Sequence, residues 1–171
     1  MATRLLPYDH PILLTPTEPF NWNNIGTWSS EHTRKSLEEC VKVFEGVGLS
    51  ANQIGIPWRV FSTNIGGVQE THFNPVIVAM SFEMITQEEG CLSFPGLKLP
   101  IKRPVAIELA WFNEHGNINQ KQFNGIHSRV IQHEMDHLDG VTFVARANIY
   151  HRQKIYEPWV KVYRKNISDY S

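Results

Sequence analysis

The run Gln132-His133-Glu134-Met135-Asp136-His137-Leu138-Asp139-Gly140 constrains this chain more than any other. It contains His-Glu-x-x-His. On an α-helix, residues four apart share a face, so His133 and His137 can each offer a ring nitrogen to one metal ion. Glu134 lies beside His133, within reach of a water on that ion. The flanking Val130, Ile131 and Leu138 are apolar, which predicts a buried helix over about Ile126–Leu138. Buried histidines need partners. Asp139-Gly140 supplies the stop. Two ligands on one turn with a carboxylate next to them predict a hydrolytic metal centre. The third ligand and the substrate remain open from this run alone.

The chain has two cysteines, Cys40 and Cys91. No apolar run approaches the roughly 18 residues of a membrane span. Met1 to Pro7 lack the long apolar core of a signal peptide. The cytoplasm is therefore the expected compartment, where a structural disulfide is disfavoured. Cys40 falls near the apolar stripe Leu37, Val41 and Phe44 of a predicted helix and reads as a small buried hydrophobe. Cys91 lies in Glu88-Glu89-Gly90-Cys91-Leu92-Ser93-Phe94-Pro95-Gly96. Pro95 and Gly96 are expected to end any regular element there. Cys91 is then at a strand end or on a loop, placed to serve as the third ligand.

A thiolate and two imidazoles leave one tetrahedral position for water. Such a centre admits Fe(II), Ni(II) or Co(II) as well as Zn(II). The ion would lower the pKa of its water, Glu134 would take the proton, and the hydroxide would attack a carbonyl carbon. The resulting oxyanion needs donors. The side-chain N–H of Gln53 and the backbone N–H of Leu92 are the available candidates.

The rest of the chain reads as an α+β domain, with mixed or antiparallel sheets around the metal helix and a helix on either side of it. The 171 residues suit one domain over 1–171. Residues 1–28, rich in Pro, Asn and Thr, predict an extended arm on the surface. Ser29 or Ser30 can cap a helix beginning near Glu31, with Gly46 as its stop. The stretch Gly46-Val47-Gly48-Leu49-Ser50-Ala51-Asn52-Gln53 reads first as a helix-to-strand connection. Strands are predicted over Arg59–Asn64, Val76–Met80, Phe82–Ile85, Val105–Phe112 and Gln120–Phe123, with turns at Gly66-Gly67 and Asn113–Asn117. Residues 148–171 form a tail. Its Ile155, Tyr156, Trp159, Val160 and Tyr163 fit a helical stripe that Pro158 is expected to break or restart. Five basic side chains face one acid between His151 and Lys165, in a chain of net charge −1. That surplus fits a solvated helix face or a docking surface for an anionic partner such as RNA.

Three stretches together resemble the peptide deformylase family: Gly46 to Gln53, Glu89-Gly90-Cys91-Leu92-Ser93, and His133-Glu134-Met135-Asp136-His137-Leu138-Asp139-Gly140. Asp9-His10-Pro11-Ile12-Leu13 and Asn74-Pro75 extend the likeness to about residues 8–146. Ser50 departs from it, since many members have alanine there. The resemblance implies removal of the N-formyl group from nascent chains that begin with formyl-methionine, releasing formate. It implies one divalent ion per chain, Fe(II) in cells, on Cys91, His133 and His137. Glu134 would be general base, then acid for the leaving amine, with Gln53 and the Leu92 N–H on the formyl oxygen. The substrate backbone would pair alongside Val47-Gly48 and Gly90. The methionine side chain would lie against Val130 and the aliphatic stem of Arg129. Glu89 and Arg103 would pair behind the ligands and steady the cysteine loop. The resemblance also makes the basic tail a candidate ribosome contact, and a cytoplasmic monomer without membrane contact is expected.

Two other readings compete. A metallopeptidase or amidase could use the same helix but leaves Cys91 and Gln53 unexplained. A non-catalytic relative would be expected to lack Glu134 or Gln53.

Overall fold

Alternating apolar residues through the middle of the chain make its strands. The computed structural model describes residues 4–168. Its strands are β1 (Gly48–Ser50), β2 (Val60–Ile65), β3 (Val68–Met80), β4 (Met84–Cys91), β5 (Phe94–Pro104), β6 (Ala106–Phe112) and β7 (Ile118–Asn124). Five form one sheet in the order β1-β2-β3-β6-β7, and β4 and β5 form a separate hairpin. All ladder pairings are antiparallel, which resolves the mixed-or-antiparallel expectation. The β4–β5 hairpin is inserted between neighbours of the larger sheet, so its tip can reach across to a helix.

That helix is α2 (Gly125–Leu138), following α1 (Ser30–Val43). In β6, Ile107, Leu109 and Trp111 are buried while the residues between them are half-buried, as period-two alternation requires. They join Phe61 and Phe123 against Ile131, Met135 and Leu138 of α2. Each such aliphatic side chain contributes roughly 1.5–3 kcal/mol by burial. The hairpin meets another side of α2 through Arg103, which donates to Asp136, and through the Ile101 carbonyl, which accepts from Arg129, while its Leu97, Leu99 and Ile101 pack with Phe143 and Val144. Every residue from Ser128 to Leu138 is consequently buried, polar ones included.

The end of α2 is fixed by the N-terminal arm. Gly140 has φ 71°, and a Cβ there would lie 2.8 Å from the backbone of Thr15. Thr17 donates its N–H to the Leu138 carbonyl at 2.8 Å. The arm does more than wrap the surface. It makes two 3₁₀ turns, Pro11–Leu14 and Gly26–Trp28, and buries Tyr8, Leu13 and Phe20. Asn74, at φ 47°, clips it by accepting from Phe20 N–H (2.7 Å) and donating to Phe20 O (3.0 Å).

Two sequence expectations are corrected, and a third is decided between its alternatives. Gly46 does not stop α1: Glu45 makes the left-handed turn at φ 52°, and Gly46 N–H closes back on Val41 O at 2.9 Å. Pro95 and Gly96 do not end a strand. The register jumps from Glu89–Leu99 to Cys91–Phe94, so residues 95–98 bulge out of β5, where a missing N–H and a φ of 76° cost nothing. Of the two expectations for Pro158 the second holds: it does not break the tail but stands in the first turn of a restarted helix. After α3 (Phe143–Arg146), helix α4 (Ile149–His151) runs through a π-turn (Arg152–Tyr156) into α5 (Glu157–Ser168). Glu157 N–H reaches back five residues to Arg152 O, and this wider turn makes room for the proline ring. As expected, Ile155, Tyr156, Trp159, Val160 and Tyr163 face inward, here onto Tyr8, Phe94 and Phe143.

Candidate active site

His133 and His137 project from one face of α2, and β4 ends at Cys91 on the hairpin tip beside them. Cys91 Sγ lies 3.2 Å from His137 Nε2. One donor atom from each of Cys91, His133 and His137 falls within 4.8 Å of the others. A tetrahedral ion with bonds of about 2.0–2.3 Å needs separations of roughly 3.5 Å, so the set fits one. The electrostatics fit as well. Burial works to lower the His133 pKa, but the hydrogen bonds the ring donates to Cys91 and Glu89 and nearby negative charge raise it to about 10. The surroundings of this ring favour positive charge. Among the described residues, Glu134 Oε2 is buried without a hydrogen-bond partner, an open acceptor at the same place.

Glu89 is the anchor behind His133. Its Oε2 lies 3.1 Å from His133 Nδ1, which leaves Nε2 for the centre. Arg103 forks onto both Glu89 oxygens, and Arg129 Nη1 donates to Oε1 at 2.6 Å. Burial opposes ionisation of Glu89, yet the hydrogen bonds from His133 and Arg103 hold its pKa down to about 2. The predicted Glu89–Arg103 pair is therefore no surface pair: both side chains are 5% exposed. Arg129 also donates to the carbonyls of Ile101 (3.0 Å) and Ile85 (2.8 Å), so its head is fixed away from the cavity its stem lines.

Glu134 is 3% exposed and lies against Gly48, where a Cβ would come within 2.5 Å of its Oε1. Burial dominates in raising its pKa to about 7. Gln53, 2% exposed, accepts from Ser50 N–H through Oε1 at 3.0 Å. Its Nε2 donates to Ser93 Oγ (3.1 Å) and reaches Cys91 Sγ (3.4 Å). Leu92 occupies the two-residue turn next to Cys91.

A cavity of about 490 Å³ opens over these groups. Val47, Gly48, Gln53, Glu89, Gly90, Cys91, Leu92, Arg129, Val130, His133 and Glu134 line it; His137 and Arg103 stand behind. Sequence reasoning missed Asp136, which accepts from Arg103 Nη1 (2.9 Å) and Arg146 Nη2 (2.7 Å) and so braces the Glu89 pair. Its position three residues after His133, on the buried face, was the available signal. Nothing local marked Arg146.

An antiparallel α+β fold with a half-buried Cys and two buried His beneath an open cavity belongs with the metal-dependent amide hydrolases. The model of the family "Polypeptide deformylase" matches residues 2–153. A peptide deformylase of Parafrankia sp. is 37% identical over 139 residues, 80% of this chain and 73% of that protein. One from Thermotoga maritima is 33% identical over 146 residues, 84% of this chain and 85% of that protein. The crystal structure of the Plasmodium falciparum enzyme superposes with a TM-score of 0.84 at 28% identity, covering 98% of this chain and 99% of that one. The chain belongs to the peptide deformylase family and is an enzyme. Members are metal-dependent, and Cys91, His133 and His137 are the candidate metal site here. No helix among the described residues is long and apolar enough to cross a membrane.

Proposed function

We propose that this chain, as one catalytic domain over 1–171, removes the N-formyl group from the formyl-methionine that begins new polypeptides, releasing formate and a free amine. The observation that carries this reading is the convergence of Cys91, His133 and His137 on one point, beside a cavity that Glu134 and Gln53 line. A divalent ion held by Cys91, His133 and His137 would supply Lewis acidity to water and to the formyl group. Glu134, with its pKa raised to about 7, takes the proton of the attacking water and returns it to the leaving nitrogen. Gln53 Nε2 and the Leu92 N–H donate to the formyl oxygen as charge grows on it. The peptide backbone pairs with Val47-Gly48 and Gly90, and the methionine side chain lies along Val130 and the stem of Arg129.

The direct test is Glu134→Ala assayed on formyl-Met-Ala-Ser with a free-amine readout. The variant should keep one metal per chain and lose deformylation. Full activity would sink the mechanism.

The family resemblance supports Fe(II) as the native ion, and the thiolate and two imidazoles also admit Zn(II), Ni(II) or Co(II). Aerobic preparations should then be less active than anaerobic or Ni(II)-loaded ones, because an Fe(II)–thiolate site is oxidised. Equal activities would count against iron. A cytoplasmic monomer that docks on the ribosome through the exposed Lys154 and Lys161 completes the proposal. Their reversal to Glu tests the docking, and unchanged co-sedimentation with ribosomes would refute it.

A further inference from the structure

We infer that Ser50 is a positioning residue for Gln53: its hydroxyl holds the Gln53 amide with its N–H groups toward the cavity and couples it to α2. The inference rests on the reading of Gln53 as a donor to the formyl oxygen. Ser50 and Asn52 are fully buried. The Ser50 hydroxyl lies 2.8 Å from Asn52 Oδ1 and 3.0 Å from Gln53 Oε1. A hydroxyl carries one proton, so these two carbonyl oxygens share it. Asn52 is held at its other end, where Nδ2 donates to the His137 carbonyl at 2.7 Å. Gln53 Oε1 also takes the Ser50 N–H.

Both donors of Ser50 thus meet the Gln53 oxygen, and the nitrogen is left to face Ser93 and Cys91. Turning the amide over would set N–H against N–H in a buried place. The backbone donor is there whatever residue stands at 50. The hydroxyl is serine's own contribution, and through Asn52 it links the amide to the main chain of a candidate metal ligand. Alanine at this position would keep the backbone donor but leave the Asn52 and Gln53 oxygens without that proton.

The test is a double-mutant cycle on the Ni(II)-loaded full chain with formyl-Met-Ala-Ser, recording kcat, KM and bound nickel. Ser50→Ala should lower kcat about fivefold, the equivalent of one neutral hydrogen bond, with KM changed by less than about twofold and nickel unchanged. The double variant Ser50→Ala/Gln53→Ala should be no slower than Gln53→Ala alone, since Ser50 acts only through Gln53. If Gln53→Ala loses activity while Ser50→Ala does not, this inference is overturned and the proposed function stands. A double variant slower than Gln53→Ala by a further fivefold would assign Ser50 a general structural role and overturn the inference too. Unchanged kcat in Gln53→Ala would remove both the donor reading and the positioning role.

Discussion

Glu134 shows how little room this site leaves. Its carboxylate is fitted against the bare Cα of Gly48, so Gly48→Ala would press a methyl to 2.5 Å from Oε1 and 2.8 Å from Val130 Cγ1. The expected result is a loss of kcat of at least about tenfold with metal content unchanged, because a misplaced base costs proton transfer. A kcat within twofold of the parent would show that Glu134 can move freely. The pH profile follows from the same burial. As the proposed base, Glu134 must be ionised to accept a proton, and burial raises its pKa to about 7. A bound cation can only lower that value, so kcat should rise with pH and level off by about pH 7. A limb persisting above pH 8 would exclude Glu134 as the group observed. At this scale the sequence was highly legible. His133, Glu134 and His137 are spaced by one helical turn, and Cys91 and Gln53 sit in short motifs, so local order carried the chemistry. The pairing of Asp136 with Arg103 and Arg146 and the bond from Asn52 to the His137 carbonyl were not legible, because those partners arrive from other elements.

Elements were read well wherever a regular period held. The strands around β2 and β6 and the helix α2 fell within a few residues of expectation. The misses at Gly46 and at Pro95-Gly96 come from reading Gly and Pro as breakers: α1 has already ended before Gly46, and a bulge in β5 takes up Pro95 and Gly96. Glu45 is the converse, a non-glycine doing a glycine's work at the end of α1. Relieving its left-handed backbone should outweigh the added chain entropy of glycine, so Glu45→Gly should raise stability by roughly 0.5–1 kcal/mol in denaturant melts. A lower midpoint would mean that the Glu45 side chain contributes contacts of its own. The tail carries a second prediction at this scale. Trp159 Nε1 donates to Pro95 O at 2.9 Å, and the ring packs on Phe94, both on the cavity wall. Trp159→Phe keeps the ring and removes the bond. KM should rise several-fold with kcat little changed, whereas an unaltered KM would make the tail irrelevant to the groove. For the same reason deletion of the tail would disturb the site as well as any docking, and charge reversal is the cleaner probe of the ribosome.

At the scale of the whole molecule, α2 is held between two sheets, and the candidate ligands come from both the helix and the inserted hairpin. An ion bound there stabilises the folded state by mass action, about 4 kcal/mol when its free concentration is a thousand times its Kd. Chelation should therefore lower Tm by roughly 10 °C for a chain of this size, and coincident melts with and without chelator would contradict the site. The buried roles of Tyr8, Leu13 and Phe20 were invisible in sequence because a Pro-rich arm has no period to read. Their packing has a consequence in time. Arg164 donates to the Tyr8 hydroxyl at 3.2 Å across 156 residues, and Trp159 and Tyr163 stack their edges on the same ring. A ribosome makes residue 8 long before residue 164. The cluster that backs the cavity wall can close only after residue 164 has been made, so this wall is assembled from two stretches that leave the ribosome far apart in time.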